Sequence, residues 1–107
     1  MRLAFHSSAE TDSWEATAHI GEFATVCGTA ASIHQATRSK GEPTFINLDK
    51  PYPDQMFTIL IWGSDRYKFG NPEQKYAGKQ VCVTGTITSF RGVPEVVVHD
   101  ASAVKLE

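Results

Sequence analysis

The side chains best suited to chemistry in this sequence are flat rings interleaved with cations. Phe45, Trp62 and Tyr67 alternate along the chain with Arg38, Lys40, Arg66, Lys68 and Arg91. Rings of this kind stack nucleobases, at about 1–3 kcal/mol per base, while neighbouring cations track a phosphate backbone. That chemistry is binding, not bond-making. The stretch MFTILIWGSDRYKF (56–69) concentrates it. Alternation gives Phe57, Ile59 and Ile61 one face of a strand and Thr58, Leu60 and Trp62 the other, so the first row suits an interior. Trp62 then offers a stacking platform or plugs the space under a helix at 72–77. Arg66-Tyr67-Lys68 is a cation-flanked ring or a solvated turn that tucks Phe69 inward. Parity leaves open whether Phe45-Asn47 or Ile46-Leu48 face the core. Tyr52, between Pro51 and Pro53, reads as part of a rigid structural loop.

Catalytic signatures are missing. Asp49, Asp54, Asp65 and Asp100 make no spaced acid pair, and His19, His34 and His99 stand apart. There is no Gly-x-Ser-x-Gly or His-Glu-x-x-His, and Gly78-Lys79 opens a strand and not a phosphate-cradling helix. Cys27 and Cys82 form no Cys-x-x-Cys pair, so no metal or organic cofactor is implied. They are small strand-face residues, or a disulfide if their strands are neighbours. The expected protein is therefore not an enzyme.

The chain has 107 residues and a formal net charge of −2, enough for one domain. Acidic residues gather early, with Arg2 set against Glu10, Asp12, Glu15 and Glu22. Any basic surface must be local and its pull salt-sensitive. No apolar run is long enough to span a membrane, and the N-terminus has no secretory signal core. The expected location is cytoplasmic, or exported with the signal already removed.

The elements that must position these groups are mostly strands. Residues 1–11 show no periodicity and read as a disordered tail. Residues 12–21 read as a helical lead-in, with Asp12 and Glu15 as a capping box, Trp14 as its anchor and Gly21 as its stop. Residues 22–106 hold five strand signals, near Phe23–Gln35, Thr44–Leu48, Met56–Trp62, Gln80–Phe90 and Glu95–His99. A short helix falls between the third and fourth, with Asn71 as N-cap, Pro72 in the first turn and Gly78 as the stop. GEFATVCGTAASI (21–33) and GKQVCVTGTITSF (78–90) echo each other. A mid-strand glycine in each, Gly28 and Gly85, suits a strand that bends or bulges. The order predicts an all-β chain, a five-stranded OB-fold Greek-key barrel over residues 1–107 as a single domain.

HIGEFATVCGTA (19–30), PTFINLDKPYPDQMFTILIWGSDRYKF (43–69) and YAGKQVCVTGTITSFRGVPEVVVHD (76–100) resemble a small bacterial OB-fold module of the nucleic-acid-binding type. Such modules occur as single-domain proteins or appended to nucleases. The resemblance implies binding of single-stranded nucleic acid, DNA ahead of RNA, on the face of the second and third strands. Arg38, Lys40 and Arg91 would then meet phosphates, Phe45, Trp62 and Tyr67 would stack bases, and Arg66 and Lys68 would assist. The alternative is a protein-interaction module using the same face, as a homodimer or as the partner of a nuclease. No membrane partner is implied.

Overall fold

The computed structural model describes residues 10–107, so the first nine residues of the predicted tail lie outside it. Glu10 and Thr11, the last two residues of that tail, are in strand β1 (Glu10–Asp12). The fold is organised around one long strand, β2 (Phe23–Gln35), which belongs to two layers. Its first half pairs antiparallel with β5 (Gln80–Thr86), from Phe23 opposite Thr86 to Thr29 opposite Gln80. Its second half pairs antiparallel with β3 (Thr44–Leu48). The register slips between Ala30 and Ser32, leaving Ala31 as the extra, exposed residue of a bulge. The turn from one layer to the other is made there, and not at Gly28.

The two echoed glycines answer a different demand. A Cβ on Gly28 would lie 2.7 Å from the Asp49 carboxylate, and one on Gly85 would lie 2.5 Å from Val96 Cγ1. Both are points of close approach. At Gly85, on β5, a side chain of the other layer comes into close contact.

From β3 the first layer continues through antiparallel β4 (Phe57–Ile61), then β7 (Val93–Val98), parallel to β4, then β6 (Thr88–Phe90), antiparallel to β7. In the second layer β8 (Val104–Leu106) pairs with β5, and β1 runs parallel to β2. The strand order is β6-β7-β4-β3-β2-β5-β8, with β1 joined at β2.

The predicted five-stranded closed OB-fold barrel is therefore corrected to an open path of eight strands. One cause is Ile87, inside the expected fourth strand. Its side chain is fully buried, its N–H donates to Glu22 O, and its C=O accepts from Gly21 N–H. These bonds draw its backbone out of the ladder and split the segment into β5 and β6. The other cause is length: β1 and β8 have three residues each, too few for alternation to be read.

The core follows the period-2 pattern of the strands. Val26, Ala30, Ile46, Leu48, Phe57, Ile59, Ile61, Val81, Val83, Val96 and Val98 face inward, with Phe69, Tyr76 and Ile87 from the connections. Ile46 and Leu48 are thus the inner pair, and Phe45 and Asn47 point outward. Each fully buried aliphatic or aromatic side chain contributes about 1.5–3 kcal/mol. The helix α1 (Pro72–Tyr76) is capped by Asn71, whose Oδ1 accepts from Gln74 N–H at 3.2 Å, and Gly78 follows with φ +75°.

The lead-in differs from its expectation. It is a 3-10 turn over Ser13–His19, and Asp12 makes no side-chain cap bond. With three residues per turn, Ser13 and Ala16 share a face, and both are fully buried. Trp14 lies off that face and is 63% exposed, so Ala16 and not Trp14 is the anchor.

Cys27 and Cys82 sit directly opposite in the β2–β5 register, 4.0 Å apart at Cα, and form a disulfide. On the same face Thr25 Oγ1 and Thr84 Oγ1 are 2.8 Å apart. A structural disulfide belongs to an oxidising compartment, so the cytoplasmic expectation has no support. Among the described residues no helix is long and apolar enough to cross a membrane.

The disulfide closes a loop with a sequence separation of 55. The double variant Cys27→Ala, Cys82→Ala should lose about 2–4 kcal/mol in urea denaturation. Gly85→Ala should cost about 1–3 kcal/mol by overpacking against Val96. Adding Val96→Ala should cost less in that background than in the wild type, a coupling that a double-mutant cycle measures directly.

Candidate binding groove

Strand register builds the floor of a groove on the outer face of the first layer. Ser32 lies beside Asn47, Asn47 beside Thr58, Thr58 beside Glu95, and Glu95 beside Thr88. The adjacent row, Ile33-Ile46-Ile59-Val96, faces the core. Alternation therefore turns the polar row outward.

The polar row is tied together. Asn47 Nδ2 donates to Ser32 Oγ at 3.0 Å, and Tyr52 N–H donates to the same oxygen at 3.3 Å. Thr58 Oγ1 donates to Asn47 Oδ1 at 3.4 Å and accepts from Gln55 Nε2 at 3.3 Å. The chain of bonds ends in acceptors. Gln55 Oε1 is buried and has no donor among the described residues. The half-buried Glu95 carboxylate has no cation paired with it there, and burial pushes its pKa above the ordinary carboxylate value.

Three segments wall the floor to enclose about 750 Å³. His34 and Phe45, cross-strand neighbours, form one side. The β3–β4 loop contributes Pro51, Tyr52 and Pro53, and the β6–β7 hairpin contributes Phe90, Arg91 and Val93. Tyr52 is 73% exposed and Phe90 57%. Arg91 has φ +53°, and its guanidinium lies 5.1 Å from the centre of the Phe90 ring.

Of the eight residues singled out in the sequence, the groove gathers two, Phe45 and Arg91. Arg38 and Lys40 are exposed on the β2–β3 loop, whose Ser39 reaches the groove. The other four lie elsewhere. Trp62 packs its indole on Gly41, where a Cβ would sit 2.9 Å from Cε3, and Gly63 N–H donates to Gly41 O at 2.8 Å. The indole thus fastens the β2–β3 loop. Arg66 donates to Thr44 Oγ1 at 2.7 Å and to Glu73 Oε1 at 2.6 Å, tying the 3-10 turn over Gly63–Phe69 to β3 and α1. Lys68 Nζ donates to Asp65 Oδ1 at 3.0 Å and to His99 O at 3.3 Å. Tyr67 is exposed, with Lys68 Nζ 5.9 Å from its ring centre.

Sequence reasoning missed Tyr52, Gln55, Phe90 and Glu95 as groove residues. The rigidity of Pro51-Tyr52-Pro53 was the available signal, because a wall must hold its shape. Gln55 and Glu95 gave none, since their meaning depends on which neighbours they lack.

The carboxylates around the 3-10 turn explain where its cations went. The hydrogen bond with His99 Nδ1, at 3.0 Å, and then that from Lys68 hold the Asp65 pKa below the usual carboxylate value. The Asp65 bond in turn raises Lys68. Burial opposes ionisation of Glu73, but the Arg66 hydrogen bond and charge outweigh it and leave the pKa lowered.

For Asp65, a depressed pKa means stability that is present at neutral pH and lost as pH falls through the lowered value. Asp65→Asn should therefore lower Tm at neutral pH, by a few °C at most because its partners Lys68 and His99 reach solvent, and flatten the acid limb of a Tm-against-pH profile.

No family model matches the sequence, and no curated protein does. Among solved structures the chain is similar to an OBody bound to hen egg-white lysozyme, with 11% identity, a TM-score of 0.64, and coverage of 97% of this chain and 98% of that one. That likeness is one of fold. It accompanies a correction to the expected single-stranded nucleic-acid partner. The like structure is of a protein binder, Arg66 and Lys68 are engaged by Glu73 and Asp65, and the groove's arginine is turned onto Phe90. Neither the DNA-binding nor the bacterial ascription implied by the resemblance finds support in these comparisons.

Proposed function

We propose that the chain is a non-catalytic protein-binding module that works in an extracellular setting and receives its partner in the groove between the β3–β4 loop and the β6–β7 hairpin. The carrying observation is the pairing of exposed Tyr52 and Phe90 rings with a polar floor whose buried acceptor has no donor among the described residues. Aromatic and arginine side chains around a desolvated pocket are the anchors of protein interfaces. A floor with open acceptors supplies directional bonds to such an anchor.

Two further features support the reading. The walls are stiff: Tyr52 stands between prolines, and Trp62 pins the loop that carries Ser39. A surface already held in shape loses less conformational freedom on binding. The OBody of like fold is itself seen bound to a protein. Ser32 Oγ, the hydroxyl at the end of the floor, accepts two hydrogen bonds and serves the scaffold.

The test is to pan a phage-displayed random peptide library on the immobilised, oxidised protein. Enriched peptides should bind with affinity about tenfold weaker, a loss of roughly 1.4 kcal/mol, to Tyr52→Ala and Phe90→Ala variants that retain the wild-type circular dichroism. No enrichment, or enriched peptides that bind both variants as well as wild type, would overturn the proposal.

A further inference from the structure

The groove floor is rich in acceptors and poor in donors. Gln55 Oε1 is buried without a donor among the described residues. Glu95 stands beside Thr58, half-buried and unpaired, in the same row. An uncompensated carboxylate and an open amide oxygen on one floor are stable partners for a group that brings several N–H donors and a positive charge. Resting on the protein-binding reading above, we infer that the groove takes a basic side chain of the partner, arginine or lysine, with its cationic head on the Glu95 carboxylate and Gln55 Oε1.

The other charged and titratable groups along the groove fit this occupant. Arg91 lies over Phe90, and it makes no ion pair with Glu95 among the described residues. Burial is the cause of the raised Glu95 pKa. A charge is wanted at Glu95, and among the described residues no cation pairs with it. The rings of Tyr52 and Phe45 remain to pack along an aliphatic stem or face a guanidinium. His34, beside Phe45 on the same side of the groove, is exposed and lies on β2, with β3 and β4 between it and the strand of Glu95.

The experiment is a titration of isotope-labelled protein with N-acetyl-argininamide, and separately with N-acetyl-norleucinamide, read by amide chemical shifts. The arginine probe should shift the Gln55 side-chain amide and the backbone of Thr58 and Glu95, with saturation. The uncharged probe should leave them in place. Glu95→Gln, which keeps the size and removes the charge, should weaken the arginine probe about fivefold, the scale of a partly exposed ion pair. Equal shifts from both probes, or equal binding to Glu95→Gln, would sink the cation inference and leave the groove standing as a binding site. No groove shift from either probe also overturns the inference. The protein-binding proposal falls with it only if the peptide panning fails as well.

Discussion

Asp49 is the fixed point of this structure. It follows β3 directly, with φ +68°. Its N–H donates to Thr29 O at 2.7 Å, and its Oδ1 accepts from Thr29 N–H at 2.9 Å. Its other carboxylate oxygen accepts from the Ser13 hydroxyl. One residue thus clasps the end of β3, the middle of β2 and the lead-in. Hydrogen bonds to an ionised acceptor are roughly twice as strong as neutral ones. The clasp sits two residues before the bulge at Ala31, where β2 leaves one layer for the other. Gly28 lacks a side chain because the carboxylate passes over it.

That arrangement divides labour between the layers. The layer of β1, β2, β5 and β8 carries the disulfide and presents a face of threonines around it. The layer of β2, β3, β4, β7 and β6 carries the groove. The groove floor is a by-product of register: the row facing the interior is aliphatic, and the next row is Ser32, Asn47, Thr58 and Glu95. A slip of one residue in β4 would exchange Thr58 for Ile59 and destroy core and floor together.

Much of the scaffold was legible because punctuation is local. β2 and β3 have the bounds read from the sequence, Gly21 and Pro43 marking their starts, and Phe57, Ile59 and Ile61 announced their inward face. Asn71-Pro72 announced α1. What escaped depends on distant partners. Ile87 looks like any strand residue until its backbone is seen bonded to Gly21 and Glu22. Arg66 and Lys68 look like free cations until Glu73 and Asp65 are placed beside them. Cys27 and Cys82 become a bond only through a register that no spacing rule reveals. Glu95 acquires interest through what fails to meet it.

The indole seated on Gly41 separates two kinds of position within one loop. Arg38, Ser39 and Lys40 reach into solvent, where side chains of many sizes are accommodated without disturbing their neighbours. Gly41, with φ +77° and an aromatic ring against its Cα, admits nothing larger. The rim positions can therefore be exchanged freely while one ring on one glycine keeps the loop's backbone path, so composition and shape are uncoupled within four consecutive residues.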